Sequence, residues 1–149
     1  MPPKKFFIAA VLEYDAESIE AFIQIIETVI DTITRNKSAR FFLKVAVNEL
    51  IVNAVEHGYN KHSGPVSVFL LKQSDSVVLE VSDSGVGIHP ELLNLEKTIE
   101  SYDDLTVRGW GLSILKKVSS RFNIQANRPS GTTISLTMPL NFNTPLPRR

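Results

Sequence analysis

The amino-acid sequence predicts an α+β fold, a two-layer sandwich in which helices cover one face of a mixed, mostly antiparallel sheet. Three observations support this prediction. An apolar run rich in phenylalanine, isoleucine and valine lies near the N-terminus, two segments with helical periodicity follow it, and two pairs of short apolar segments joined by turn residues come later. Because short turns join antiparallel strands, the two pairs predict hairpins, and the helices are left to cover one face of the resulting sheet.

The N-terminal half predicts a strand and two helices. Residues 5–13, KFFIAAVLE, form a continuous apolar run that favours a strand. In residues 16–33 apolar side chains recur every three or four positions, which is typical of an amphipathic helix. A polar stretch then breaks this helix. Ser38 is the predicted N-cap of a second helix, which runs to about His57 and ends at Gly58.

The C-terminal half predicts two hairpins with a loop and a third helix between them. Residues 66–71 and 77–81 flank a Ser-Asp-Ser turn, and residues 121–127 and 132–138 flank a Pro-Ser-Gly turn. Between the hairpins, residues 109–120 carry apolar side chains at helical spacing. The element order strand, helix, helix, two strands, helix, two strands is the basis of the predicted sandwich.

The composition restricts the class of protein. Hydrophobic residues make up 43% and charged residues 21% of the chain, as in globular proteins, and sixteen basic residues balance sixteen acidic ones. No net charge therefore favours direct nucleic-acid binding, and no apolar run is long enough to cross a membrane. The absence of cysteine excludes disulfides, thiolate metal sites and cysteine nucleophiles. We expect a single cytoplasmic domain over residues 1–140, with residues 141–149 as a flexible tail.

The second predicted helix carries a polar stripe. Glu49, Asn53 and His57 follow one another at intervals of four residues and so share one face, whereas the opposite face is apolar. An amphipathic helix whose polar face meets water explains the same pattern. Asparagine and histidine are only moderate helix formers, which argues mildly against their use as filler on an exposed face. The pattern alone leaves both interpretations open.

The loop after the first hairpin contains the pattern Asp83-x-Gly85-x-Gly87. Two glycines spaced in this way let the backbone pass close to a planar ligand. The aspartate can accept a hydrogen bond from an amino group such as that of adenine. A simple strand-ending turn uses the same residue types, so this motif alone does not decide between a ligand site and a turn.

A third motif, Arg108-Gly109-Trp110-Gly111-Leu112, opens the third predicted helix. Free backbone N–H groups and the helix dipole favour an anion at such an N-terminus, and a phosphate group suits that position. The sequence contains neither a Walker motif nor a G-x-G-x-x-G pattern after a strand. A pair of glycines is common by itself, so this motif becomes specific only in combination with the other two.

In combination and in this order, the three motifs resemble the nucleotide-binding boxes of the GHKL ATPases, which include gyrase B, heat-shock chaperones and histidine kinases. The residues that carry the resemblance are Glu49 and Asn53 (N box), Asp83, Gly85 and Gly87 (G1 box), and Gly109, Gly111 and Leu112 (G2 box). The stretch NAVEHGY at residues 53–59 looks most like the bacterial anti-sigma factor serine kinases, and Gly131-Thr132-Thr133 also fits. The resemblance covers residues 6–140 and implies a sandwich of the Bergerat type.

The resemblance implies a site for ATP and Mg²⁺. Asn53 would be the Mg²⁺ ligand, because an amide oxygen suits a hard cation. Glu49 would be the catalytic residue, acting on a protein hydroxyl group or on water near the γ-phosphate. Asp83 would bind the amino group of adenine, and Thr133 would offer a hydroxyl group nearby.

Other roles follow from the same resemblance. Backbone contacts to the nucleotide are expected from Gly85, Gly87, Gly109, Gly111 and Leu112. Arg108 suits the γ-phosphate because a guanidinium group matches phosphate geometry, although a solvated loop arginine explains it equally well. Residues 92–107 would form a lid over the nucleotide. Trp110 is bulky for its place in the G2 box, and His57 is expected to be a capping or structural residue.

The resemblance also implies a function. We expect an ATP-dependent serine/threonine protein kinase of the anti-sigma-factor type, which phosphorylates a STAS-type anti-anti-sigma protein and binds a sigma factor or similar regulator. A homodimer through the exposed N-terminal strand fits this family. Two alternatives stay open: a nucleotide-sensing module that binds partners without turnover, and a stand-alone ATPase or detached kinase catalytic domain. No phosphoacceptor hairpin precedes the N box, which argues against a complete histidine kinase.

Overall fold

Five strands form one antiparallel sheet in the computed structural model, which describes residues 6–13, 16–58, 64–86 and 111–141. The strands are β1 (Phe6–Glu13), β2 (Pro65–Lys72), β3 (Ser76–Asp83), β4 (Arg121–Ala126) and β5 (Thr132–Pro139). They lie in the order β1-β2-β3-β5-β4, with β1 and β4 at the edges. All neighbouring pairs of the described strands are antiparallel. The α+β sandwich is therefore confirmed, and its sheet is antiparallel throughout the described strands.

Three α-helices complete the described fold: α1 (Ala16–Ile33), α2 (Lys37–Asn53) and α3 (Gly111–Val118). Helix α2 continues directly into a single π-helical turn, Ala54–Gly58. The predicted ends of α1 and the predicted end of the second helix at Gly58 are confirmed. The predicted lid at residues 92–107 and nearly all of the predicted tail at residues 141–149 lie outside the described residues.

Helix α2 begins at Lys37 because Asn36, and not Ser38, is its N-cap. The Asn36 side-chain oxygen accepts a hydrogen bond from the backbone N–H of Ala39 at 2.9 Å, and the Asn36 backbone is extended. The prediction that Ser38 caps this helix is wrong, since Ser38 lies within the first turn. Asparagine and serine are about equally good N-caps, so the sequence offered two suitable positions and no means of choosing between them.

The core lies between the helices and one face of the sheet. Buried side chains alternate with half-buried ones along β3 and β5, so one face of the sheet is packed and the other is open. The helices supply the matching apolar surface; its fully buried members in α1 and α2 include Ile30, Phe42, Leu43, Val47, Leu50 and Ile51. Burial of each such side chain contributes roughly 2 kcal/mol. This packing fixes α2 over the sheet.

None of the helices in the described part of the chain is both long enough and apolar enough to span a lipid bilayer.

Candidate functional site

Glu49, on α2, lies against the first residue of α3. A Cβ atom added to Gly111 would overlap the carboxyl carbon of Glu49, the adjacent methylene group and one carboxyl oxygen. The first N–H groups of a helix have no partner within the helix, and they attract negative charge. Glycine at position 111 therefore leaves the space in which the Glu49 carboxyl group approaches the N-terminus of α3.

The hydrophobic core holds this N-terminus in place. Leu112 and Leu115 are buried, and α3 packs against α2, β4 and β5. The side chain of Leu112 is therefore an anchor that fixes the start of α3. Of the predicted G2 box, Gly111 and Leu112 are described, whereas Gly109 and Arg108 lie outside the described residues.

Asn53 lies one helical turn beyond Glu49 and ends the α-helical part of α2. Its side-chain nitrogen is buried, and it has no hydrogen-bond partner among the described residues. A buried polar atom of this kind needs a partner, and rotation of the amide by half a turn exchanges its nitrogen and oxygen. The Asn53 amide therefore fits a hard cation such as Mg²⁺, which binds amide oxygens.

The α-helix changes to a π-helical turn immediately after Asn53. Such turns are rare and are frequent at functional sites, where the extra residue redirects the side chains that follow. This turn packs against β3, which ends at Asp83. The backbone of His57 lies in the turn, and its expected capping or structural role stays a prediction.

Asp83 is a buried carboxyl group at the end of β3. It is 7% exposed, and burial raises the pKa of Asp83 above its ordinary value. Hydrogen bonds from the backbone N–H groups of Gly85 and Thr132 oppose this shift in the pKa of Asp83, the first of them at 2.9 Å to Oδ1. The carboxyl group is thus oriented by two backbone donors and shielded from water, as a selective hydrogen-bond acceptor has to be.

The structure places Thr133 on the opposite face of the sheet from the Asp83 carboxyl group. In β5 the side chains of Thr132, Ile134, Leu136 and Met138 are buried on the helix side, so Thr133 lies on the open face of the sheet. Its hydroxyl group donates a hydrogen bond to Asn127 at 2.7 Å and lies 2.8 Å from the hydroxyl of Ser82. Thr132 is the threonine that lies on the same face as Asp83 and donates a backbone hydrogen bond to it.

These residues sit on elements that pack against one another. Helix α2 carries Glu49 and Asn53 and contacts both α3, which begins at Gly111, and β3, which ends at Asp83. Gly85 is buried just beyond β3, and Gly87 lies outside the described residues. The site thus contains a carboxylate beside a helix N-terminus, an amide with an unsatisfied atom and a buried acceptor for an amino group. Together these groups can hold the base, metal and phosphates of a nucleotide.

Comparison with known families agrees with this geometry. The sequence matches the histidine kinase-like ATPase domain family over residues 12–138. The chain belongs to this family. The match runs from β1 to β5, so it includes all three motifs, and it confirms the resemblance seen in the sequence. Membership of this family indicates a nucleotide-binding domain.

Relatives of this chain in Clostridium and Bacillus species are named anti-sigma F factor. The one from Clostridium acetobutylicum is 30% identical over 96 residues, covering 62% of this chain and 64% of that protein. The one from Clostridium botulinum (strain Eklund 17B / Type B) is 26% identical over 126 residues, covering 84% and 83%. The one from Bacillus licheniformis is 29% identical over 126 residues, covering 83% and 81%. The match to the first relative therefore spans less than two thirds of that protein's length.

A solved structure is also similar. The catalytic domain of histidine kinase ThkA, in a nucleotide-free form, has a TM-score of 0.49 and 19% sequence identity, over 88% of this chain and 96% of that domain.

Two residues near Asp83 were not predicted from the sequence. For Thr132 the signal was present, because Ile134, Leu136 and Met138 fix which positions of β5 face the core and Thr132 is in phase with them. For Asn127 no signal was present. Its side chain bonds to Ser82 and to the Asp83 carbonyl group, which lie more than forty positions away along the chain.

Proposed function

We propose that this chain is an ATP- and Mg²⁺-dependent serine/threonine protein kinase of the anti-sigma-factor type. The observation that carries the proposal is the closeness of the Glu49 carboxyl group to Gly111 at the start of α3. It brings a proton acceptor beside N–H groups that suit a phosphate, which is the arrangement that phosphoryl transfer needs. Membership of the histidine kinase-like ATPase family supports the nucleotide, and relatives named anti-sigma F factor support the regulatory class.

In this proposal Asp83 recognises the base. Its ionised carboxylate accepts a hydrogen bond from the amino group of adenine, while the N–H groups of Gly85 and Thr132 keep it oriented. Gly85 and Gly87 let the backbone pass close to the ring. Thr132 takes the place that the sequence interpretation gave to Thr133, because Thr132 shares a face of the sheet with Asp83.

The phosphate end uses the N box and the G2 box. We assign Asn53 as the metal ligand through its amide oxygen, and the bound Mg²⁺ would neutralise charge on the phosphates. Glu49 accepts the proton of the attacking serine or threonine hydroxyl group. We also assign the backbone N–H groups of Gly109, Gly111 and Leu112 as donors to the phosphates, and Arg108 as the partner of the γ-phosphate.

The partners in this proposal are proteins. A STAS-type protein supplies the hydroxyl group, and a sigma factor or similar regulator is held when that protein is phosphorylated, which implies a cytoplasmic location. The relatives' name supports this. We include a homodimer through the open sheet face near β1, where Val11 is 68% exposed and a cavity of about 260 Å³ lies among β1, β2 and β3.

The test is phosphate transfer from labelled ATP to purified STAS-type proteins of the same genome, with Mg²⁺ present. The wild-type chain is expected to phosphorylate a serine or threonine of one of them. Glu49→Gln keeps the shape of the side chain but removes the proton acceptor. It should slow transfer by about 10²- to 10⁴-fold while leaving ATP binding intact. Glu20→Gln, the same change at an exposed position of α1, is the matched control and should leave the transfer rate unchanged.

Each other outcome points to a different function. A wild-type chain that binds ATP and regulates a partner but transfers no phosphate to any STAS-type protein contradicts the kinase proposal and favours a nucleotide-sensing module. Steady ATP hydrolysis without any partner favours a stand-alone ATPase.

A further inference from the structure

The turn between β4 and β5 (residues 127–131) carries an asparagine whose side chain reaches the end of β3. Asn127 lies in the first position of this turn, and its backbone N–H donates to the Gly131 carbonyl oxygen at 3.0 Å. Its side-chain nitrogen donates to the backbone carbonyl oxygen of Asp83 at 2.8 Å and to the hydroxyl of Ser82 at 3.0 Å. The side chain is half-buried, so water competes only weakly for these bonds.

The hydrogen positions in this cluster follow from its acceptors. The Asp83 carbonyl oxygen can only accept, so the amide nitrogen of Asn127 must face it and the amide oxygen must face Thr133. Thr133 then donates its one hydroxyl hydrogen to Asn127, at 2.7 Å, and Ser82 donates to Thr133 across 2.8 Å. Asn127, Ser82 and Thr133 thus form a closed ring of three hydrogen bonds, in which each bond polarises the next.

The same turn contacts the Asp83 backbone a second time through Gly131. The φ angle of Gly131 is +104°, and a Cβ atom there would overlap the Asp83 carbonyl group and the Ser84 Cα. Ser130 also donates a hydrogen bond to the Ser84 carbonyl oxygen at 2.9 Å. The turn therefore lies directly against the backbone that carries the Asp83 carboxyl group.

The hairpin of β4 and β5 therefore holds both the backbone carbonyl group and the carboxylate of Asp83. Asn127 bonds to its backbone carbonyl oxygen, and Thr132, the first residue of β5, donates its N–H to its carboxylate. A displacement of the Asp83 backbone would move the carboxylate by a similar distance, and hydrogen bonds weaken steeply once their distance and angle leave a narrow range.

We propose that Asn127 is a positioning residue for base recognition: through its bond to the Asp83 carbonyl group it sets the place of the carboxylate that receives the amino group of adenine. This inference rests on the proposed ATP site and adds to it a residue outside the three motifs. Asn127 acts on the base end of the nucleotide alone, since the hydrogen bonds of its side chain go to Ser82, Asp83 and Thr133.

The test compares ATP with inosine triphosphate, which has a carbonyl oxygen where adenine has its amino group. In Asn127→Asp the donor to the Asp83 carbonyl oxygen becomes a negatively charged acceptor, so the two groups repel each other. The ratio of the dissociation constants of inosine triphosphate and ATP is expected to fall about tenfold, as for a lost buried hydrogen bond. Asn123→Asp, the same change at an exposed position of the same hairpin, should leave the ratio at its wild-type value.

The ratio separates positioning from a general loss of structure, because a partly unfolded protein loses affinity for both nucleotides equally. In an Asp83→Asn background, Asn127→Asp should no longer change the ratio, since the carboxylate that it positions is gone. Where Asn127→Asp does not fold, as judged by circular dichroism, Asn127→Ala removes the donor without adding charge and is expected to lower the ratio in the same direction.

Failure of this inference differs from failure of the proposed function. A wild-type chain that binds neither nucleotide, or does not prefer ATP, overturns the ATP site itself. A wild-type chain that prefers ATP, together with an unchanged ratio in a folded Asn127 variant, overturns the positioning role alone.

Discussion

The two ends of the candidate nucleotide site are built differently. At the base end, the Asp83 carboxyl group is buried and has two backbone donors, and a ring of side-chain hydrogen bonds supports its backbone. At the phosphate end, the Asn53 side-chain nitrogen is buried with no partner among the described residues, and Glu49 occupies space that only a glycine at position 111 leaves. The polar groups at the base end have partners within the protein, whereas the phosphate end contains an amide that, once rotated by half a turn, can offer its oxygen to a metal.

This difference is clearest at two glycines, one at each end. A Cβ atom on Gly131 would meet backbone atoms, which cannot move without disturbing the sheet. A Cβ atom on Gly111 would meet the far end of the Glu49 side chain, which can rotate away. The same substitution should therefore affect folding at the base end and chemistry at the phosphate end.

Gly131→Ala is expected to have the largest effect, and the effect is on stability. The positive φ of Gly131 costs alanine about 1–2 kcal/mol, and the overlap with the Asp83 carbonyl group adds to this, so we expect a loss of about 3 kcal/mol in the free energy of unfolding. Chemical denaturation measures it. A loss below about 1 kcal/mol would mean that the turn does not press against the Asp83 backbone.

Gly111→Ala should leave the free energy of unfolding unchanged or slightly higher, because alanine is the better helix former. It should lower the rate of phosphate transfer by about 10²-fold, since a shift of about 1 Å in a catalytic group has an effect of that size. Measurement of both quantities on one preparation makes the comparison direct. A variant that retains the wild-type transfer rate would show that Glu49 is not positioned against Gly111.

The pH dependence of ATP binding is a smaller effect that reports on the base end. Burial raises the pKa of Asp83, so the folded protein without ligand holds the carboxyl proton of Asp83 more tightly than the unfolded chain does. The contribution of Asp83 to the free energy of unfolding therefore falls as the pH rises through this raised pKa. ATP binds the ionised form, so its affinity should rise over the same acidic range. Calorimetric titrations across pH measure this.

Asp83→Asn is the control for this pH dependence, because it keeps the shape of the side chain and removes its titration. The phosphates of ATP titrate equally in both proteins, so the difference between the two profiles belongs to Asp83. Identical profiles would show that the Asp83 carboxyl group does not receive the base.

Much of this fold could be predicted from hydrophobic periodicity. Helix α1 and both hairpins follow from patterns within twenty residues of sequence, because local spacing decides which side chains can share a face. The N-cap of α2 could not be assigned in this way, since Asn36 and Ser38 lie two residues apart and have similar capping ability.

The candidate site was predictable only where its residues form short motifs. Glu49, Asn53, Asp83 and Gly111 each lie in a local pattern that suggests nucleotide chemistry. Asn127 lies in no such pattern, because its contacts depend on the order β3-β5-β4 in the sheet, which brings together segments far apart in the chain. Strand phase separates the two adjacent threonines, because Thr132 lies on the same face as Asp83 and Thr133 lies on the opposite face.

A crystal structure with Mg²⁺ and a non-hydrolysable ATP analogue tests the central claim most directly. We predict that the adenine amino group lies within hydrogen-bond distance of the Asp83 carboxylate, that the Asn53 amide oxygen coordinates the metal, and that the terminal phosphate lies between Glu49 and the start of α3. An analogue bound elsewhere, or bound here with its base away from Asp83, would contradict the account.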